Sequence, residues 1–306
     1  MLELVLFISH YSILLMKKFA IAACFCASSI LSHGQGMIDG FMRGKNNITT
    51  ALSYSHESYD SYYVGDSSVT NPNLGTITTN SVNLFASYGI TSFLDVVVGL
   101  PFISVNSSEG YWSKQKGFQD FSFYLKGKAM EKDFGAIGKV SIMGAAGFVI
   151  PASAYIPDAP VAIGHHSKNL EARLMFQYLL PVGVFVMGQG GYIKRNNVTL
   201  DRGSEVSVPD AWDYVVRIGY SYKKYYADAW LNVQDARSGT NIGPGVPFPS
   251  NAISYTRAGF NLYAGLPVKN LGVSFNMGFT LSGENIGKAT RYSGSIVYNF
   301  PFLIKK

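Results

Sequence analysis

From Trp212 to Tyr222 the chain alternates without a break. Trp212, Tyr214, Val216, Ile218, Tyr220 and Tyr222 share one parity, and Asp213, Val215, Arg217, Gly219 and Ser221 share the other. A β-strand sends successive side chains to opposite faces, so the stretch predicts one continuous apolar and aromatic face. In a soluble sandwich that face would be the inner one, where rings seldom sit at both ends. On the lipid face of a membrane barrel, rings belong at the two interfaces and aliphatics between them. Lys223 and Lys224 predict a tight polar turn, followed by a second strand over Tyr225–Asp235. The hairpin reads as one sixth of a transmembrane antiparallel β-barrel.

Composition agrees. Only 14% of the 306 residues are charged, against about 25% in ordinary globular domains. Such a deficit can mark helical spans, yet past the N-terminus no uncharged apolar run reaches the ~18 residues a helix needs. Residues 1–34 have the form of an export signal. Met16-Lys17-Lys18 is a basic start, Phe19 to Leu31 an apolar core, and Ser32-His33-Gly34 a small-x-small site before Gln35. Met16 is an alternative initiator. Both cysteines, Cys24 and Cys26, lie inside this segment, so the exported chain is expected to have neither disulfide nor thiolate chemistry. The formal net charge of +6 is spread without a Lys/Arg run, which gives nucleic-acid binding no support.

Residues 35–47 are Gly-rich and polar and read as a short periplasmic segment, too short for a plug domain. Residues 48–306 read as an all-β barrel of twelve strand-like segments, from Ile48–Tyr59 to Arg291–Phe302, each near the ~9–11 residues that cross a bilayer at a tilt. The connections alternate in length. Pro181 and Lys223–Lys224 are short; Pro151–Lys168 and Ala236–Ala252 are long. A sandwich has no reason to alternate so, whereas an even-stranded barrel has short periplasmic turns and long extracellular loops. Segments three, five and seven alternate poorly, Val96-Val97-Val98 being apolar on both parities.

A cation on the lipid side at mid-bilayer costs ~2–4 kcal/mol, so the charged parity must face inward. The expected lumen carries Lys126, Lys128, Arg173, Arg217, Arg257 and Arg291 against Asp95, Asp120, Glu171, Asp213 and Asp228. These residues form either the charge ring of a pore or an ion-pair lattice that fills a narrow barrel. The near balance of signs argues against strong selectivity.

One hairpin resembles a known family. Tyr88-Gly89-Ile90-Thr91-Ser92-Phe93-Leu94-Asp95, then Gly99-Leu100-Pro101-Phe102, looks like a hairpin of the outer-membrane proteins linked to the meta-pathway of phenol degradation. Gly117-Phe118-Gln119-Asp120 with Leu125-Lys126, and Gly147-Phe148-Val149-Ile150-Pro151, are similar to that family's following strands. The resemblance spans about Val82 to Pro151. It implies an outer-membrane barrel, thought to help small, often aromatic or hydrophobic molecules cross, and no catalytic residues. Barrels usually end on an aromatic residue; here Phe300 and Phe302 precede Leu303-Ile304-Lys305-Lys306.

An enzyme is the rival class. His165 and Ser167 share a parity, as do the base and nucleophile of the twelve-stranded outer-membrane phospholipases, and Asn169 is the one nearby group to orient the imidazole. The longer pattern of that family is absent. No cofactor or metal motif is present. The sequence therefore predicts a non-enzymatic barrel in the outer membrane of a Gram-negative-type bacterium. Its partners would be outer-membrane lipid, the barrel-assembly machinery and an unidentified small solute. A closed barrel that presents its loops is the alternative.

Overall fold

The computed structural model describes residues 38–111, 114–159 and 161–301. Twelve antiparallel strands close into a barrel. They are β1 (Asn47–Tyr59), β2 (Ile77–Gly89), β3 (Leu94–Ser107), β4 (Asp120–Asp133), β5 (Lys139–Pro151) and β6 (Asn169–Leu179). There follow β7 (Val184–Arg195), β8 (Ala211–Tyr222), β9 (Tyr225–Ala236), β10 (Ser254–Gly265), β11 (Leu271–Glu284) and β12 (Thr290–Pro301). Each predicted segment lies within a few residues of its strand. Lys114–Phe118 adds a short ribbon to the outer end of β3 ahead of β4. The last strand returns to the first, Ser58 standing opposite Thr290 and Asn47 opposite Pro301. Hydrocarbon offers backbone N–H and C=O groups no partner, so a sheet spans a membrane only when it has no edge.

The two faces divide as the alternation requires. Val216 and Ile218 are 54% and 58% exposed, whereas Asp213, Val215 and Arg217 on the same strand are buried. Trp212 and Tyr222 end the outer face of that strand, with Tyr192 against Trp212 and Tyr220 stacked on Tyr222. The exterior is therefore a lipid surface, and Val216→Arg is expected to cost ~2–4 kcal/mol of folding stability. Refolding into lipid vesicles across a urea series measures it; an unmoved midpoint would mean that this face does not meet hydrocarbon.

The segment ahead of β1 departs from expectation. It is too short for a plug domain, yet residues 38–46 turn into the short-turn end of the barrel and fill part of it. Ile38, Asp39 and Phe41 are all buried. Phe41 meets Phe185 edge-on at 5.5 Å between centroids and Tyr226 at 6.1 Å. Ile38 clusters with Val97, Tyr124, Met143 and Met175. Burial of Ile38 and Phe41 against an apolar inner wall, together with the ion pairs of Asp39 and Arg43, holds the segment in place. That wall is the missing half of the alternation puzzle. β3, β5 and β7 carry apolar residues on both parities because their inner face (Val97, Met143, Phe185, Met187) packs the segment while their outer face meets lipid. Gly89 is a glycine for the same reason. A Cβ there would come within 1.9 Å of the Gly44 carbonyl oxygen, and the Asn46 N–H donates to the Gly89 carbonyl at 2.7 Å. The expected export signal at residues 1–34, Trp112 and Phe302 to Lys306 lie outside the described residues.

Candidate functional site: the lumen

The inward charges fall into tiers. At the short-turn end, register sets Asp95 opposite Lys126. The buried Lys126 Nζ lies 3.2 Å from Asp95 Oδ2 and 3.2 Å from Asp39 Oδ1, and donates to the Phe41 carbonyl at 2.6 Å. The Arg43 N–H donates to Asp95 Oδ2 at 3.0 Å, and its guanidinium pairs with Asp39. One buried lysine thus ties the entering segment to both β3 and β4. Beside it Arg217 faces Asp228 at 3.4 Å, and Asp228 also accepts from the Tyr226 hydroxyl and from Asn261 at 2.6 Å. Farther out Arg173 is held by Asp213 at 2.5 Å and Glu171 at 3.1 Å, with Asn232 donating to Asp213 at 2.8 Å.

Above the segment lies a cavity of about 530 Å³ with Ile38 in its floor. Of the predicted residues, Glu171, Arg173, Asp213, Arg217, Arg257 and Arg291 line it. Asp95, Lys126 and Asp228 sit lower in the buried lattice. The remaining two predicted residues belong neither to the cavity nor to that lattice. Lys128 lies at the short-turn rim and pairs with Glu131 at 2.9 Å, beyond which a register shift between Lys128 and Met130 reverses the faces. Asp120 lies at the outer end of β4, where it accepts from the Tyr155 hydroxyl at 2.7 Å.

Glu57, Trp230 and Tyr255 also line the cavity, and the sequence reading passed over them. Their signal was parity. Trp230 lies two residues from Asp228 and shares its face. Its indole fits because Gly259 and Gly278 leave room: a Cβ at Gly259 would meet Trp230 Cζ2 at 2.5 Å, and one at Gly278 would meet Cη2 at 3.1 Å. Arg257 lies over the Tyr255 ring at 4.6 Å and donates through Nε to Thr280 Oγ1 at 3.2 Å. Arg291 donates to Ser55 Oγ at 3.1 Å.

Loops narrow the outer mouth. Residues 152–159 and 161–168 fold onto the inner side of β2 and β3, where Tyr155, Val161 and Ile163 cluster with Ile77 and Val105. Gln119 fixes this loop through the Ile163 carbonyl at 2.6 Å. Burial, with Asp120 beside it, holds the Tyr155 phenol well above its ordinary pKa, so it remains a donor. Three other loops converge on Asn285, which is buried at φ 53°. Its Oδ1 accepts from the N–H groups of Gly65 at 3.1 Å and Ile242 at 2.9 Å, and its Nδ2 donates to the Ala252 carbonyl at 2.8 Å. Asn285→Ala leaves those groups unpaired, a loss of ~1–3 kcal/mol. Faster amide exchange at Gly65 and Ile242 in the variant is the expected result, and unchanged protection would refute it.

The His-x-Ser pair is not assembled for catalysis. The Ser167 hydroxyl donates to Asn169 Oδ1 at 2.8 Å. The His165 ring stacks on Phe248 at 5.4 Å between centroids. Burial, with Arg195 nearby, holds that imidazole well below its ordinary pKa. Neighbouring His166 instead meets the Ser153 carbonyl at 3.2 Å.

No family model and no curated protein matches this sequence. Solved structures do share the fold. An outer membrane channel from Pseudomonas putida F1 matches with a TM-score of 0.71 at 16% identity, over 89% of this chain and 100% of that one. The translocator domain of the autotransporter NalP from Neisseria meningitidis matches at 0.48 and 11% identity, over 85% of this chain and 90% of that one. The KdgM porin matches at 0.45 and 12%, over 82% and 99%. The last two scores carry no argument. The first shows the fold, a closed strand barrel, and the apolar exterior of this chain is that of a transmembrane barrel.

Proposed function

We propose that this barrel is a narrow channel for the passive passage of small solutes, with residues 38–46 constricting its periplasmic end. The observation that carries the reading is the cavity of about 530 Å³, lined by four arginines and three carboxylates, inside a barrel whose exterior is apolar, with Ile38 in its floor. A barrel that only stiffened a membrane would have little need of a void of that size lined by arginines and carboxylates. The hairpin Tyr88–Asp95 and its likeness to the phenol-pathway barrels support hydrophobic or aromatic solutes. On this reading residues 1–34 direct export and are removed, and the barrel-assembly machinery inserts the rest. Planar-bilayer recording and liposome swelling with the refolded protein test the channel. Absence of any conductance or solute flux, with the barrel folded, would reject it.

A second reading rests on Asn285, which locks three loops into one surface. A closed barrel that displays that surface would lose partner binding on loop deletion and keep its permeability unchanged.

A further inference from the structure

We propose that the outer half of the lumen takes up an aromatic carboxylate, its ring on Trp230 and its carboxylate on Arg291 and Arg257. The inference rests on the channel reading above, for which it names a class of solute.

The first ground is charge. Four arginines and three carboxylates line the cavity. Arg173 is held by Glu171 and Asp213, and Arg217 by Asp228 beneath it. Arg257 and Arg291 remain, and among the described residues neither is ion-paired. Each is anchored through one nitrogen to a hydroxyl, Arg257 to Thr280 and Arg291 to Ser55, which leaves other N–H donors of its fork unengaged. Glu57 stands opposite Arg291 in the register but forms no ion pair with it. Arg257 and Arg291 line the same cavity, with Glu57 the one carboxylate set against both, so their like charges are only partly offset. A shared anion offsets the remainder, and a carboxylate matches the planar fork of arginine. With Arg173 and Arg217 already paired, Arg257 and Arg291 outnumber Glu57 by one charge, which favours a monoanion.

The second ground is shape. Trp230, Gly259, Gly278 and Arg291 form one row, each opposite the next across β9, β10, β11 and β12. Strands lie ~4.8 Å apart, so the row runs ~14 Å along the inner wall. The indole reaches over both glycines, as the contacts of Trp230 with their Cβ positions require, and so points toward Arg291. It forms an aromatic shelf that ends at a cation. A ring lying on the shelf gains offset stacking, and its carboxylate reaches Arg291, with Arg257 beyond on the outer side.

Isothermal titration of the folded full-length protein in detergent micelles, with benzoate and benzyl alcohol as probes, tests the site. Benzoate is expected to bind saturably and at least about tenfold more tightly than the alcohol, as charge-assisted bonds require. Arg257→Gln with Arg291→Gln is expected to abolish that preference, and Trp230→Ala to weaken benzoate while the preference for the anion persists. Equal affinities for the two probes, or unchanged benzoate binding in the double variant, overturns the proposal. Should the double variant not fold, the two probes on the unaltered protein decide. Bilayer recording on the same preparation separates the two claims. Benzoate binding without conductance would sink the channel and keep the site; conductance without benzoate preference would sink the site and keep the channel.

Discussion

Deletion of residues 38–46 is expected to raise single-channel conductance severalfold and leave the barrel folded. The segment places Ile38, Asp39 and Phe41, all buried, across the short-turn end of the lumen. The barrel does not depend on it for its ladder, because every strand pairs with two other strands and β12 returns to β1. What deletion removes is the obstruction, together with apolar cover for Phe185, Met187 and Met175. Some stability is lost with that cover, and a twelve-strand barrel lies between a filled lumen and an open one, so the freed lumen should conduct. Recording in planar bilayers checks the increase, with far-UV circular dichroism to establish that the strands persist. A conductance equal to that of the intact chain would place the constriction elsewhere, in the inward-folded residues 152–159 and 161–168 for example.

Lys126→Met is expected to destabilise the protein by ~3–5 kcal/mol, the range for removing one partner from a buried ion pair. The lysine is 1% exposed and lies between two carboxylates, those of Asp95 and Asp39. Without it the two carboxylates lose a countercharge that both share, with Arg43 still beside them, and the Phe41 carbonyl loses a donor. Two results follow. The urea midpoint in detergent falls, and conductance rises as the segment loosens. Adding Asp39→Asn to Lys126→Met removes one stranded charge and is expected to recover part of the lost stability. A single variant as stable as the parent would show that Lys126 is not the tie between segment and wall.

Much of the fold is legible because lipid imposes a strict two-residue period. Asp213, Arg217 and their aromatic neighbours declare both faces of β8, and Glu171 with Arg173 does so for β6. Loop lengths give the strand count, since an alternation of short and long connections has a direct physical cause in a barrel with two different ends. The N-terminal segment was not legible by that route. Its length argues against a plug domain, and the feature that betrays it is elsewhere: β3, β5 and β7 are apolar on the inner parity too. An inner apolar wall in a polar lumen needs a covering, and Ile38 and Phe41 are the covering. Trp230 escaped notice for a related reason. Tryptophan belongs at a lipid interface by habit, and only its shared parity with Asp228, with two glycines in neighbouring strands, marks it as internal. Pairing was beyond the sequence altogether. Near-equal numbers of acids and bases suggest neutrality, whereas the ion pairs hold Arg173 and Arg217 against carboxylates and, among the described residues, include neither Arg257 nor Arg291.

The central claim is that residues 38–46 occupy the lumen of a lipid-embedded barrel, and chemical cross-linking in intact outer membranes tests it most directly. On a background in which Cys24 and Cys26 are changed to serine, Phe41→Cys paired with Phe185→Cys is expected to join through a short bismaleimide. Phe41→Cys paired with Val216→Cys, whose partner faces lipid, is expected not to join. Linkage of the first pair alone is the predicted result. Failure of that pair to link, with position 41 freely labelled by a bulky maleimide added to the periplasm, would contradict the account.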